Sequence, residues 1–420
     1  MRVLMFGWEF PPYQAGGLAT ATVGLVKGLL RQGVAVTLVV PFPVTESPLE
    51  GLRLVGVDAP NPGLRVHRVS STLTPYGGEA AYTEVFQAAA RSAGPTQVYG
   101  ATLFDEVERF AALAGDIAGE EPHDVIDAHD WLTFDAAIAA RRVSGKPFVA
   151  HIHATEYDRA GDHGNPRILA REAAGLRTAD RIISNSHMLK RCCVERFGIE
   201  EDRVDVVHWG VDAEVAPIER QAASPLVTNG PGKARRSPVV LFLGRVTWQK
   251  GPDYFIDVAS QVSQYVPEAH FVVAGSGDML PHIIRRTAEL GIADRVHFTG
   301  GLQGADVSRA YRMADVCIMP SVSEPFGLVA LESLRHGTPC IVPRNSGVAE
   351  VLANAVKVDF WNVNEMTNQV VALLRYPALK AEMSENGVTE VAQPRFGLNE
   401  PARNTAMSYQ RVTTPIGRNA

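Results

Sequence analysis

Two carboxylates, Glu324 and Glu332, stand eight positions apart in "SVSEPFGLVALESLRHGTP" at 321–339. Two cations, Arg245 and Lys250, stand five apart in "LGRVTWQKG" at 243–251. Arg presents a planar fork of donors and Lys a point charge, and both suit a diphosphate. Carboxylates beside a phosphate must contact hydroxyls, because charge alone would repel. Sugar and ribose hydroxyls are the partners that fit. A third signal is the pair Gly16 and Gly17 in "PPYQAGGLA" at 11–19. Glycines there let backbone N–H groups approach an anion or a sugar closely. Each signal has a plainer alternative: a loop running into a solvated helix face, two solvated cations, a tight turn.

The elements that must position these residues separate the readings. The first forty residues read strand ("RVLMF"), glycine loop, helix ("LATATVGLVKGLLRQG"), strand ("AVTLVV"). Such a βαβ unit implies a parallel sheet with ligand sites at the strand C-termini. The pattern recurs in the strands "DVIDAHD" at 124–130, "PFVAHIH" at 147–153, "RIISNS" at 181–186 and "VDVVHWGVD" at 204–212. Residues 213–237 have little periodicity and several Pro, Gly and Ser, and read as a linker. A second α/β series follows from "PVVLFLGR" to "TPCIVPRN". The expected fold is α/β: two doubly wound Rossmann-like domains, 1–212 and 238–395, facing across a cleft that is the usual location for a ligand.

In that frame Arg245 sits at the end of a strand, and Lys250 precedes Gly251 and a helix. Glu324 follows the strand "DVCIMPS", and "GLVALESLRHG" is a helix starting near Gly327 or Leu328. Its unpaired N–H groups and positive dipole end make a phosphate site. On one helix, residues eight apart are offset by roughly 80°. A loop-then-helix placement lets each carboxylate reach a different part of one ligand.

The chain has 420 residues, 46% hydrophobic and 20% charged, with net charge −6. Nothing basic points to nucleic acid or to an anionic membrane. The four cysteines make no CxxC pair, which fits a reducing compartment. The N-terminal apolar run is too short for a signal peptide, and no stretch reaches transmembrane length. A cytoplasmic protein is expected.

"EPFGLVALE" is an E-x7-E motif. With "GRVTWQKG" and "GGL" it resembles the retaining nucleotide-sugar glycosyltransferases of the GT-B fold. "DAHDWLT" and "GWEFPP" make it most similar to their glycogen/starch synthase-like group. The resemblance implies a hexosyltransferase moving a sugar, glucose first, from an ADP-, UDP- or GDP-linked donor to an α-glucan or other carbohydrate acceptor, with no separate cofactor. Arg245 and Lys250 would bind the diphosphate, helped by amides at Gly327, Leu328 and Val329. Glu324 would hold hydroxyls of the transferred sugar and Glu332 the ribose. Gly16 and Gly17 would lie against the donor, and His153 near the anomeric carbon. His129 and Asp130 would stand on the acceptor side, and Gly275 and Gly300 in loops lining the base pocket. The tail, 396–420, resembles a terminal helix that crosses back onto the first domain. No DxD motif appears in a metal context, so Arg, Lys and the helix dipole would replace a metal. Gln14 stands where bacterial ADP-glucose-using glycogen synthases carry a lysine, which leaves the donor base open.

Other readings remain beside this one. His151 and His153 share a strand face and suit a metal, yet no carboxylate or cysteine is spaced to complete a site. Asp158, Asp162 and His163 read equally as a loop over an acceptor or as a solvated loop. Packing is the default for Trp8, Trp131, Trp209 and Trp248 near the motif loops. The acceptor could instead be a cell-envelope polysaccharide or a glycolipid, and a non-catalytic nucleotide-sugar-binding regulator is the reading from another class.

Overall fold

A computed structural model describes residues 1–11, 17–42, 47–56, 103–212 and 237–414. The chain divides into two compact units. The first is Met1–Tyr157 with Gly161–Trp209 and Leu398–Ala420, and the second is Asp158–Ala160 with Gly210–Gly397.

The first unit is built on one parallel sheet. Its strands are β1 (Arg2–Phe6), β2 (Ala35–Val40), β3 (Arg53–Gly56), β4 (Val125–His129), β5 (Phe148–Ile152), β6 (Arg181–Ser184) and β7 (Val204–Val206). They lie in the order β3-β2-β1-β4-β5-β6-β7. Helices cover both faces, so the central strands are continuous apolar runs and not alternating ones. One face packs against α2 (Leu103–Glu120), α3 (Trp131–Ser144) and α5 (Pro166–Thr178), with Phe104, Phe110, Phe134 and Phe148 in the core. The other packs α1 (Gly17–Arg31) and α13 (Asn399–Thr413) over Met5, Val26, Leu38 and Tyr409. The terminal helix therefore belongs to the first unit. It approaches α1 through Gly28, where a Cβ would lie 2.5 Å from the Leu398 carbonyl oxygen and 2.6 Å from Ala402 Cβ.

The second unit repeats the plan. Its strands are β8 (Val239–Leu243), β9 (His270–Ala274), β10 (Val296–Gly300), β11 (Val316–Ile318), β12 (Cys340–Pro343) and β13 (Val356–Val358). Their order is β10-β9-β8-β11-β12-β13, again all parallel. In each sheet the order reverses at one place, between β1 and β4 in the first and between β8 and β11 in the second. Ligands of doubly wound sheets bind outside the strand C-termini at such a point. α7 (Pro252–Tyr265), α8 (Leu280–Glu289) and α11 (Val363–Arg375) contribute to the core under the second sheet.

Several expectations are refined. "VDVVHWGVD" pairs only as β7, Val204–Val206. "RIISNS" stops at Ser184, because Ser186 turns out to cap the next helix, α6 (His187–Phe197), its side chain accepting from Leu189 N–H. The polar stretch around Asp158 is ordered as a short helix, α4 (Glu156–Ala160), followed by a 3-10 turn at Gly161–His163. The expected linker lies outside the described residues except for Ser237. Among the described residues no helix is long and apolar enough to cross a membrane.

Candidate active site

In the second unit Arg245 and Lys250 follow β8, and Glu324 follows β11, the two strands that flank the switch point. Backbone bonds fasten their loops together. Val322 N–H donates to the Gln249 carbonyl at 2.9 Å. Gly251 sits at φ +64°, and a Cβ there would lie 2.1 Å from the Pro320 carbonyl oxygen. A glycine is therefore required where the Lys250 loop meets the end of β11. From the other side Gly347 N–H donates to the Glu324 carbonyl, and Glu324 bridges Ser346.

The result is a close ion pair. Lys250 Nζ lies 2.9 and 2.8 Å from the two Glu324 carboxylate oxygens, and Ser321 Oγ donates to one of them at 2.9 Å. Glu324 is only 5% exposed. Arg245 reaches back to Gln249 Oε1 at 3.0 Å. Directly after Glu324, Gly327 precedes α10 (Leu328–Arg335), whose start carries no side-chain cap. Its first N–H groups, those of Leu328 and Val329 among them, have no acceptor within the helix.

Glu332 lies one turn into α10. Its carboxylate accepts from Tyr311 OH at 2.8 Å. Tyr311 belongs to α9 (Ala305–Met313) and also stacks on His336. Burial pushes the Glu332 carboxyl up from its ordinary range, and the Tyr311 hydrogen bond only partly offsets that. Tyr311 was not singled out from the sequence: a tyrosine in a helix between charged neighbours carries no signal until the fold brings it to Glu332. Gly275 follows β9 and is buried, and Gly300 ends β10 at φ +71°. Both lie at strand C-termini of the same sheet.

In the first unit Gly17 opens α1, while Gly16 and Gln14 lie outside the described residues. His129 ends β4, and Asp130 follows it as the cap of α3. Asp130 has φ +60° and is the one non-glycine residue with positive φ among the described residues. Strain of this kind gathers at functional sites. Bonds to both neighbouring segments hold it: Asp130 N–H donates to the His151 carbonyl at 2.9 Å, Asp130 Oδ1 accepts from His153 N–H at 2.7 Å, and the Asp130 carbonyl accepts from Thr133 N–H at 3.0 Å. His153 Nε2 lies 2.8 Å from His129 Nδ1, and the Trp209 ring leans over His153 at 5.1 Å. Burial pushes His153 well below the usual imidazole range, and neighbouring His151 and His129 push it further. Trp8 and Trp131 are buried in the core, and Trp248 is exposed.

The arrangement matches known proteins along its length. Residues 15–215 match the family described as Glycosyltransferase Family 4, and residues 228–389 match Glycosyl transferases group 1. An uncharacterised glycosyltransferase of Methanocaldococcus jannaschii is 29% identical over the full length of both chains. D-inositol 3-phosphate glycosyltransferase 2 of Catenulispora acidiphila is 32% identical, covering 69% of this chain and 71% of that one. Glycogen synthase of Mycobacterium tuberculosis is 27% identical, over 84% and 80%. Among solved structures, a sucrose-phosphate synthase of Thermosynechococcus elongatus superposes with TM-score 0.71 over 98% of each chain at 20% identity, which establishes the shared fold. The chain therefore belongs to the group 1, family 4 glycosyltransferases and is an enzyme of the hexosyl-transferring type with the GT-B fold.

Proposed function

We propose that the enzyme transfers a hexose, glucose first, from a nucleoside diphosphate sugar to an α-glucan, with retention of configuration. The observation that carries the reading is the cluster of Arg245, Lys250, Glu324 and the α10 N-terminus at the switch point of the second sheet. Breaking the sugar–phosphate bond builds positive charge on the sugar and negative charge on the diphosphate. Arg245, Lys250 and the amides of Gly327, Leu328 and Val329 take up the negative charge. One preorganised contact of this kind is typically worth about 3–4 kcal/mol in the transition state. Lys250 rests on Glu324 in the free enzyme, so the incoming diphosphate draws Lys250 toward itself and frees the Glu324 carboxylate for sugar hydroxyls. Glu332, oriented by Tyr311, reads the ribose. Gly275 and Gly300 give the base room at the ends of β9 and β10.

For the first unit, His153 is the group offered to the sugar, with front-face attack assisted by the departing phosphate. Asp130 and Trp209 fix its position.

A second reading keeps the donor and changes the acceptor to a phosphorylated polyol. It is favoured by the higher identity to a D-inositol 3-phosphate glycosyltransferase than to a glycogen synthase. Incubation of UDP-, ADP- and GDP-glucose with either glycogen or inositol 3-phosphate separates the two. A lengthened glucan supports the first reading. A glycosylated inositol phosphate with no glucan product replaces it by the second.

A further inference from the structure

Under His153 lies a group of donors that the transfer reaction does not use. Asp127 and His129 are two apart on β4 and so share a face. His151 on β5 is the register partner of His129. Asp127, His129 and His151 are thus brought to one point by two adjacent central strands, all at or below 2% exposure. The carboxylate that no spacing in the sequence supplied for the histidines is on the neighbouring strand.

The distances decide what the point can hold. Asp127 Oδ2 lies 3.4 Å from His129 Nε2 and 3.8 Å from His151 Nδ1. Good hydrogen bonds between such atoms fall at about 2.7–3.2 Å, and these are longer. His129 Nε2 and His151 Nδ1 have no hydrogen-bond partner although buried, and nor does Asp127 Oδ1. Ligands of one tetrahedral zinc ion, with bonds of about 2.0–2.1 Å, stand about 3.3–3.4 Å apart. We propose that Asp127 Oδ2, His129 Nε2 and His151 Nδ1 ligate a structural divalent metal ion of zinc type.

The surroundings agree. A buried ionised carboxylate needs a compensating positive charge. The metal supplies it while both imidazoles stay neutral, as ligation requires. With His129 Nε2 on the metal, its Nδ1–H donates to His153 Nε2 at 2.8 Å, the outer hydrogen bond that fixes a ligating histidine. Tyr409 OH donates to the ligating Asp127 Oδ2 at 2.5 Å as an outer hydrogen bond, and a water completes four ligands. Tyr409 lies on α13, so the ion ties the terminal helix to the centre of the first sheet. The same assignment moves His129 from the acceptor side to the metal.

The test is the metal content of the full-length protein by plasma mass spectrometry. One arm measures the protein as purified in chelator-free buffer without a histidine tag. The other measures it after unfolding with chelator and refolding with zinc sulfate. The expected result is about one zinc per chain, falling to near zero in His129→Asn and His151→Asn. If those variants do not fold, wild type refolded with cobalt(II) carries the same question: tetrahedral cobalt absorption in the visible is expected. Less than about 0.1 zinc in both wild-type arms, or full occupancy in a folded His151→Asn, overturns the proposal. So does cobalt-refolded wild type without the visible bands.

Discussion

Removing Lys250 leaves Glu324 as a carboxylate that is 5% exposed, with the Ser321 hydroxyl still donating to it but no cation beside it. At 2.8 Å the attraction between the two charges is about 1.5 kcal/mol at the dielectric of water and about 6 kcal/mol at an effective value of 20. Desolvation of both groups offsets much of the larger figure. Lys250 Nζ is at a side chain 21% exposed, which screens the pair further. A net coupling of about 2–3 kcal/mol follows. Lys250→Met is therefore expected to lose about 2–3 kcal/mol, because the carboxylate stays buried without its cation. Glu324→Gln should lose about 1 kcal/mol, since the lysine can reach water. The double variant should lose only about 1 kcal/mol, no more than Glu324→Gln alone, because no buried charge is left unpaired. Urea-unfolding midpoints at unchanged slope measure all four proteins. Turnover behaves differently: all three variants should fall roughly 100-fold or more, since the double variant restores stability and not the diphosphate contact. Additive single effects, with coupling below about 0.5 kcal/mol, would refute the reasoning about the pair.

Other outcomes follow from the same geometry. Gly28→Val drives a side chain into the Leu398 carbonyl and Ala402, so α13 should lift from α1 at a cost of about 2 kcal/mol or more, seen as faster hydrogen exchange in 399–413. Asp130→Ala loses the acceptor for His153 N–H and keeps the strained backbone, whereas Asp130→Gly loses only the acceptor; the alanine variant should melt lower, the difference being about 1–2 kcal/mol. His151 and His153 have folded-state pKa values lowered by burial, so the native state binds fewer protons than the unfolded chain below pH about 6.5. Stability should hold above that pH and fall as pH drops below it, by up to about 1.4 kcal/mol per pH unit for each histidine. A flat melting temperature between pH 7.5 and 5.5 would contradict this. Tyr311→Phe should raise the donor KM several-fold while leaving kcat near wild type, because it releases Glu332 and touches no reacting atom.

The sequence carried the elements that have strong periodicity or strong termini. β1, α1, β2 and β4 lie where the apolar runs put them. Glu324, Lys250 and Arg245 were legible because each follows an apolar run at a strand end. Other features were not legible, for a physical reason in each case. Strand order is a long-range property, so nothing local revealed that β8 and β11 are neighbours or that Lys250 reaches Glu324 across 74 residues. The Asp127–His129–His151 group depends on the register between β4 and β5. β3 and β13 are four and three residues long, too short for a period to show. Asp130 looks in the sequence like an ordinary helix cap, and only its φ reveals the strain.

The central claim is that the second unit binds a nucleoside diphosphate sugar and that Arg245 and Lys250 take charge of the departing diphosphate. Nucleoside diphosphate release, measured with UDP-, ADP- and GDP-sugars for wild type, Arg245→Ala and Lys250→Ala, tests it most directly. The account predicts release by wild type with at least one donor and a loss of roughly 100-fold or more in each variant that remains folded. Release by a folded Lys250→Ala and Arg245→Ala at the wild-type rate, or none by wild type with any donor, would contradict it.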